Sequence, residues 1–389
     1  MSCGRNGAAK LRWTVCCREF LFVWRYRIPN LATMNSLQRI SSLQQLKLHL
    51  VPILCSLCMA AGMLSCGESY FVHEQPAIPE PAGFPPVPFP SWNAPSQAKI
   101  TLGRMLFYDA QLSVTGTVSC ASCHKQSLGF SDDQSVSRGV RGENGSRNAP
   151  SIINTAYQAS WFWDGRARTL EEQITSALTS AAEMDADTAK LHVYLEKSPV
   201  YPLLFRDAFG DRSPMSIERT VEAIATFCRA LVSGNSRYDQ YAMGNPNALS
   251  TDEKAGMNLF FSEKTKCASC HSGFNFSDNK YHSIALRAHY YDKGRALVTG
   301  RERDIGMFKT PTLRNVAVSG PYMNDGTFTR LEDIIEHYNK GGNPFIYKDT
   351  TLIRPLNLSE IEKYQLLVFL RSLTDDDFVQ NPRFRNPLR

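Results

Sequence analysis

Cysteine is scarce in this chain outside two short motifs. Among 389 residues there are 11 cysteines: five precede residue 66, four belong to the motifs, and only Cys66 and Cys228 remain. Two such residues cannot build the disulfide framework of a small secreted scaffold, so that class is excluded. Cys228 stands in the apolar stretch 223–231, which predicts a buried small hydrophobic side chain.

An excess of one charge sign is missing from most of the chain. The formal net charge is +6, but the first 66 residues hold eight Lys or Arg against the single acid Glu19, so the remainder sums to −1. Nucleic-acid binding usually requires a basic surface, and the residues after 66 supply no basis for one. We therefore expect no nucleic acid among the partners.

Long apolar runs are also few. Residues 48–64 form one, rich in Leu, Met and Ala, which is typical of a secretory signal and too short for a comfortable membrane span. Residues 63–66 resemble a lipoprotein cleavage box, so residues 1–66 are predicted to be a leader and Cys66 the lipid-anchored first residue of a periplasmic protein. Simple signal cleavage and an uncleaved anchor stay open, and Met34 is a candidate for the true start.

Extended alternation of polar and apolar residues is absent, and no large sheet is expected. Helix signals take its place. An amphipathic helix is expected to begin near Ser96, and four S/T-x-x-E capping boxes begin at Thr169, Ser250, Thr329 and Ser359. The fold class is therefore predicted to be mainly α.

The chain divides into a tether and two lobes. Residues 67–95 are rich in proline and predict an extended, semi-rigid tether. An N-terminal domain is expected over 96–243 and a C-terminal domain over 244–389, because a Gly/Asn/Pro cluster opens the second range. In each lobe a helix ending in Leu-Phe, at 103–107 and 256–260, precedes one of the two cysteine motifs, which favours related architectures.

The two cysteine motifs are copies of C-x-x-C-H. They read Cys-Ala-Ser-Cys-His at 120–124 and again at 267–271. This pattern is typical of covalent c-type haem attachment, in which two thiols form thioethers and the histidine ligates the iron. On one helical turn these positions share a face, so all three side chains can meet one macrocycle. The predicted attachment residues are Cys120, Cys123, His124, Cys267, Cys270 and His271.

Three simpler interpretations of the motifs are less satisfactory. A structural zinc site needs four ligands, and neither copy has a second ligand pair close by in sequence. A disulfide or a thioredoxin-like redox pair would not need an adjacent histidine twice. Two covalent haems are therefore predicted.

Around the motifs, further residues resemble the bacterial di-haem cytochrome c peroxidase and MauG family. The resemblance runs in order over residues 96–373, and its most specific parts are Leu106-Phe107-Tyr108-Asp109, Arg147-Asn148-Ala149-Pro150, Phe162-Trp163-Asp164-Gly165-Arg166 and Thr310-Pro311-Thr312-Leu313-Arg314-Asn315. It implies two cytochrome c-like domains, each with one covalent haem. The N-terminal haem would be peroxidatic and the C-terminal haem would be the entry point for electrons.

The resemblance also implies roles for single residues. His124 and His271 match the proximal iron ligands, Gln173 and Glu183 match the distal pair with Glu183 as acid/base, and Trp163 matches the aromatic residue between the haems. A buried carboxyl group can exchange a proton with peroxide near neutral pH. Taken alone, Gln173 and Glu183 would be ordinary helix-surface residues and Trp163 a core aromatic.

One geometric requirement follows for the distal pair. In an unbroken helix Gln173 and Glu183 would lie about 15 Å apart, so the chain must fold back between them if both are to contact one haem.

Two departures from the family pattern favour the MauG-like subtype. Val140 stands where peroxidases usually have a histidine that caps the resting N-terminal iron, which predicts an open or water-bound haem. Tyr338 stands where peroxidases usually have methionine, and MauG-type proteins use tyrosine as the axial ligand. Tyr338 also continues an apolar helical stripe that any core helix would show. The rival ligands are His337, Met307 and Met323.

A calcium ion between the lobes is also implied by the resemblance. Its ligands would be Asn148 and the backbone carbonyl oxygens of Ser319 and Pro321. Oxygen ligands of this kind suit a hard cation.

The leading functional hypothesis is a di-haem peroxidase that reduces hydrogen peroxide at the N-terminal haem with electrons relayed through the C-terminal haem. Its electron donor would be a small redox protein or a protein substrate. One alternative is MauG-like oxidation of a partner protein through high-valent haem iron, and another is a non-catalytic di-haem electron carrier. The oligomeric state, including a homodimer, stays open.

Overall fold

The computed structural model describes residues 78–210 and 215–388. The predicted leader, the start at Met34 and the lipid anchor at Cys66 lie outside these ranges. The described residues all belong to one compact unit. No helix among them is both long enough and apolar enough to cross a membrane.

Helices dominate the regular structure, which confirms the predicted mainly α class. In chain order they are α1 (Gln97–Tyr108), α2 (Cys120–Cys123), α3 (Leu170–Thr179), α4 (Thr188–Lys197), α5 (Tyr201–Phe209), α6 (Ile217–Arg229), α7 (Arg237–Ala242), α8 (Thr251–Phe260), α9 (Ala296–Thr299), α10 (Leu331–Asn339), α11 (Glu360–Arg371) and α12 (Asp376–Gln380). Two short strands, β1 (Tyr281–His282) and β2 (Phe308–Lys309), pair antiparallel with Tyr281 opposite Lys309.

Most of the predicted helix starts are confirmed by their capping contacts. Ser250 and Ser359 form complete capping boxes, and the Thr169 side chain accepts from the amide of Glu172. The prediction at Thr329 is wrong by one residue, because Arg330 occupies the N-cap position of α10. The Arg330 side chain pairs with Glu332 and makes no capping hydrogen bond.

Each lobe contains the same close crossing of two helices. Gly103 on α1 lies so close to α6 that a Cβ atom there would overlap the carbonyl oxygen of Ala223. Gly256 on α8 lies in the same way against Gln365 on α11. Only glycine allows the two backbones to approach this far. The two helices that precede the cysteine motifs are thus held by equivalent contacts.

The backbone between the helices is also repeated, with a spacing of 161 positions. Asn154 and Asn315 share a left-handed conformation, with φ of 53° and 58°. Trp161 forms a bridge with Ala167, and Tyr322, which is 161 positions after Trp161, forms the equivalent bridge with Phe328. We call two residues separated by this spacing counterparts. The lobes are therefore two copies of one loop architecture.

A buried polar network joins the counterparts Asn154 and Asn315. Both asparagines are fully buried. The Asn154 side chain donates to Ser233 O through Nδ2 and accepts from the Ser233 amide through Oδ1. Asn315 Nδ2 donates to Ser233 Oγ at 2.8 Å. Asp375 completes the network by accepting from Ser233 Oγ and by donating its amide to Asn315 Oδ1. Every buried group named here has a partner, so the network stabilises one arrangement of the two lobes.

The apolar residues form two main clusters, one around α1 and α6 and one around α8 and α11. Phe378 and Phe384, near the C-terminus, pack in the first cluster although they follow the second in sequence. The predicted domain boundary at residue 244 stays a prediction, since the end of the chain returns to the first lobe.

The described part of the predicted tether is packed against the body. The ring of Phe84 lies 4.7 Å from that of Phe274 and beneath the guanidinium group of Arg314, and Tyr157 Oη donates to Pro85 O at 3.0 Å. Residues 78–95 have no regular structure except a 3-10 turn at Ser91–Asn93, and the role of residues 67–95 as a tether stays a prediction.

Candidate active site: one cavity between the two motifs

A single cavity of about 910 Å³ reaches both cysteine motifs. Its walls include His124 and His271, and its apolar side chains come from both lobes. A volume near the upper end of the usual range for ligand sites suits large flat cofactors better than a small substrate.

The first motif is held by hydrogen bonds within its own turn. Cys120–Cys123 forms the short helix α2, and the amide of His124 donates to Cys120 O at 3.0 Å. His124 Nδ1 lies 2.9 Å from Phe130 O. Burial lowers the pKa of His124, and the Phe130 carbonyl partly opposes that shift. The ring is thus neutral, and its Nδ1–H donates a hydrogen bond to the Phe130 carbonyl oxygen. This tautomer leaves Nε2 as the nitrogen that can ligate iron.

The second motif repeats this arrangement in a tighter turn. Cys267–Ser269 is a 3-10 turn where one turn of α-helix was predicted, yet the amide of His271 still donates to Cys267 O at 2.9 Å. His271 Nδ1 lies 3.0 Å from Phe276 O. Burial likewise lowers the pKa of this imidazole. Both copies therefore present the side-chain set that covalent haem attachment needs.

The four motif cysteines are free thiols with raised pKa values. Burial is the largest cause, and it raises the pKa of both Cys120 and Cys270 to about 12. No group of three or more His, Cys, Asp or Glu that could hold a metal occurs among the described residues. The thiols line the cavity, and they suit thioether formation with a haem.

The distal pair meets the geometric requirement stated above. Helix α3 carries Gln173 and ends at Thr179. The chain then turns, with the amide of Glu183 donating to Ser180 O and the amide of Met184 donating back to Ala177 O. As a result both Gln173 and Glu183 line the cavity that holds the first motif.

Glu183 lines the cavity, where its side chain is still exposed. Desolvation by the surrounding protein raises the pKa of its carboxyl group, and the guanidinium group of Arg166 opposes that shift. Its backbone is fixed by the preceding loop, because Val140 donates its amide to Glu183 O at 2.8 Å. Gly139 next to it lies against Ala182 too closely for any Cβ atom.

Trp163 joins the two lobes. Its Nε1 donates to Asn148 O at 2.8 Å, and its own carbonyl accepts from the amide of Lys309 at 2.8 Å. The indole lines the cavity that both motifs share. Its role as the aromatic residue between two haems stays a prediction.

Tyr338 lines the cavity on the side of the second motif, and burial raises the pKa of its phenol. Among its rivals, Met323 also lines the cavity. His337 instead directs Nε2 to Ile284 O at 3.1 Å, and Met307 lies outside the described cavity wall. The structure thus favours Tyr338 or Met323 over the other two.

The three predicted calcium ligands lie on the cavity wall. Asn148 Nδ2 donates to Gln134 O at 3.0 Å, which leaves the amide oxygen as its ligand atom. Ser319 O accepts from Ser131 Oγ, and Pro321 follows it closely in the chain. Neutral oxygens of this kind fit a hard cation.

Lys309 is a site residue that sequence reasoning missed. Its amine donates to Gln158 Oε1 and to Ser160 O, and burial lowers its pKa to about 7, against the opposing carboxylate of Asp164. The sequence signal that could have indicated Lys309 is its position 161 residues after Asn148, at the spacing of the repeat.

Helices, two haem-attachment motifs and a shared cavity define a helical di-haem protein. The family model described as di-haem cytochrome c peroxidase matches residues 97–247. Cytochrome-c peroxidase IdrP1 of Pseudomonas sp. (strain SCT) is 36% identical over 330 residues, which is 77% of this chain and 86% of that protein. Methylamine utilization protein MauG of Methylorubrum extorquens is 38% identical over 296 residues, 74% of this chain and 81% of that protein.

A solved structure of a MauG-like protein associated with microbial copper homeostasis aligns with a TM-score of 0.77 at 34% identity, and covers 80% of this chain and 99% of that chain. The chain therefore belongs to the di-haem cytochrome c peroxidase and MauG family. It is a peroxidase-like oxidoreductase whose cofactors are haems.

Proposed function

We propose that this protein reduces hydrogen peroxide at a covalent haem ligated by His124, with electrons entering through a covalent haem ligated by His271. The observation that supports this proposal is that Glu183, Gln173 and the first motif line the same cavity. The attachment residues are Cys120, Cys123, Cys267 and Cys270. The haem iron supplies a Lewis-acidic site that binds peroxide and exchanges electrons with it.

The protein's own groups control the protons. The Glu183 carboxylate accepts a proton from hydrogen peroxide and returns it to the departing oxygen, which a carboxyl group with a raised pKa on the cavity wall can do near neutral pH. The Gln173 amide can donate to or accept from the same oxygens and so orient them. The Phe130 carbonyl holds His124 in one tautomer. Trp163 is our candidate for electron relay between the lobes.

MauG-like oxidation of a partner protein is the second candidate. It is favoured by Val140, which offers no ligand to the resting iron, and by Tyr338 on the wall near the second motif. A phenolate ligand would stabilise ferric iron and lower the potential of the C-terminal haem. Such an enzyme would react with peroxide in the fully oxidised state.

The proposal includes location and a structural ion. Covalent haem attachment fits an exported protein, and we place it in the periplasm with a lipid anchor at Cys66. A Ca²⁺ ion would bind Asn148 with the carbonyl oxygens of Ser319 and Pro321.

The test uses holoprotein expressed with a c-type haem maturation system. Its intact mass should exceed that of the unmodified chain by two haems. Rapid mixing of the ferric protein with hydrogen peroxide should bleach a high-spin Soret band, and turnover should consume a reduced small c-type cytochrome. Peroxide reactivity without cytochrome turnover would favour the MauG-like function. Inertness toward peroxide in both redox states would indicate an electron carrier, and a mass without haem adducts would overturn both enzymatic candidates.

A further inference from the structure

Two hydrogen bonds across the lobe interface are related by the 161-position repeat. The amide of Asn148 donates to Asn324 O at 2.8 Å, and the amide of Lys309 donates to Trp163 O at 2.8 Å. Lys309 is the counterpart of Asn148, and Asn324 is the counterpart of Trp163. The lobes therefore exchange the same contact in both directions, as the two halves of an isologous interface do.

The same relation extends to the side chain of Lys309. Its Nζ donates to Gln158 Oε1 and, at 2.7 Å, to Ser160 O. Gln158 and Ser160 are the counterparts of Ser319 and Pro321, whose carbonyl oxygens are the candidate calcium ligands. The amine of Lys309 thus contacts the counterparts of the two residues that would hold calcium beside Asn148. One detail differs, since Gln158 contributes its side-chain oxygen.

The Lys309 amine lies among oxygen acceptors in a buried place. Lys309 is only 8% exposed. The two acceptors of its hydrogen bonds are neutral oxygens, and burial disfavours the charged form of the amine, which the carboxylate of Asp164 favours without a direct bond. An amine enclosed by oxygen acceptors imitates the environment of a bound metal cation, with N–H groups in place of coordination bonds.

We propose that the Lys309 amine takes the place of a metal cation at the counterpart of the Asn148 calcium site, and that asparagine at this position would create a second Ca²⁺ site. This inference rests on the calcium proposed at Asn148. Lys309 is then a positioning residue: its side chain and its amide fix residues 158–163, the segment that ends in Trp163.

The first test counts calcium in the di-haem holoprotein. Wild type, Lys309→Asn and Lys309→Met are stripped with a chelator, dialysed against CaCl₂ and analysed by mass spectrometry for metal. We expect one calcium per wild-type chain, two in Lys309→Asn and one in Lys309→Met, because methionine removes the amine without adding an oxygen ligand. Equal calcium in the two variants would overturn the proposal, whichever value the wild type has.

The second test follows backbone hydrogen exchange in peptides that cover 158–165 and 317–324. In wild type a chelator should speed exchange in the second peptide and leave the first unchanged, because the amine that orders the first segment is part of the chain. Lys309→Met should speed exchange in the first peptide several-fold, and in Lys309→Asn this loss should be restored by CaCl₂. If CaCl₂ restored slow exchange of peptide 158–165 in both variants, or in neither, the result would contradict the inference.

The two proposals fail in different ways. If calcium does not bind at Asn148, the wild type holds none and its peptide 317–324 ignores the chelator. The inference about Lys309 is decided by the difference between Lys309→Asn and Lys309→Met, which is measured separately. If one of the two variants fails to assemble with both haems, the other is used alone. Its hydrogen exchange in peptide 158–165 is compared with that of wild type, with and without CaCl₂. This comparison still decides whether the Lys309 amine orders the segment.

Discussion

The amide of Val140 donates a hydrogen bond to the carbonyl oxygen of Glu183 at 2.8 Å. This contact ties the loop after the first motif to the turn that carries the candidate proton acceptor. The family resemblance puts the capping histidine of the peroxidases at the place of Val140, and valine has no ligand atom. The loop holds Glu183 through its backbone, and under the proposed function Val140 would offer the N-terminal haem iron no ligand.

The first prediction concerns that open side. Cyanide should bind the ferric protein as purified, with no prior reduction, because no side chain of this loop has to be displaced. The measurement is the shift of the high-spin Soret band during a cyanide titration, compared before and after partial reduction. An all-low-spin resting ferric spectrum would contradict it.

Replacing Glu183 with glutamine should lower kcat/KM for hydrogen peroxide about 10²–10⁴-fold, because the amide cannot accept the proton. In wild type the rate should fall as the pH drops through the pKa of Glu183, and burial places that limb above the range of an ordinary glutamate. Protonation removes the acceptor, so the loss lies on the acid side, and Glu183→Gln should abolish this limb. The matched control is Glu143→Gln at an exposed site, where an equal loss would argue against a specific role.

Gly139→Ala tests the backbone contact beneath Glu183. The new Cβ atom would overlap Ala182 O, so the loop or the turn has to move, and activity should fall at least about tenfold, since small misplacements at a reacting centre are costly. Gly145→Ala, on the same loop, brings a Cβ only to 3.3 Å from Ser137 O and should be tolerated far better. Peroxide kinetics together with the haem spectrum measure both. Equal activity of the two variants would refute the conclusion that the close contact at Gly139 positions Glu183.

Tyr338→Phe should raise the potential of the C-terminal haem and alter its ferric spectrum, because loss of a phenolate destabilises ferric iron. Spectroelectrochemical titration gives both quantities. Met323→Leu is the control on the same cavity wall and should change neither. If the Tyr338 variant matches wild type while the Met323 variant shifts, the axial ligand is methionine.

Asn154→Ala should destabilise the fold. The substitution leaves the amide and the carbonyl of Ser233 without their partner in a fully buried region, at about 1–3 kcal/mol for each lost contact, whereas Asn275 Oδ1 keeps its bond from Thr312. Alanine also tolerates the left-handed backbone poorly, at roughly 1–2 kcal/mol. Urea unfolding should show a loss of several kcal/mol in total, against almost none for Asn247→Ala at an exposed site. A small loss would mean that water replaces the asparagine.

Much of the site could be predicted from local sequence. The spacing of Cys120, Cys123 and His124 brings the three together within one turn, and the caps at Ser250 and Ser359 depend on residues three positions away. The failure at Thr329 is of the same local kind, since Arg330 takes the position that Thr169 has in the first lobe. Family resemblance added the distal residues, whose roles remain proposals.

The sequence by itself determined the helical class and the two C-x-x-C-H motifs, because hydrophobic period, capping and motif spacing act over a few residues. Only the tertiary structure decided which distant groups meet. It placed the Lys309 amine on Gln158 and Ser160, turned the chain after α3 so that Gln173 and Glu183 line one cavity, and returned Phe378 to the first lobe. Such contacts join residues that are far apart in the chain, and the burial that makes them strong exists only after the lobes have packed.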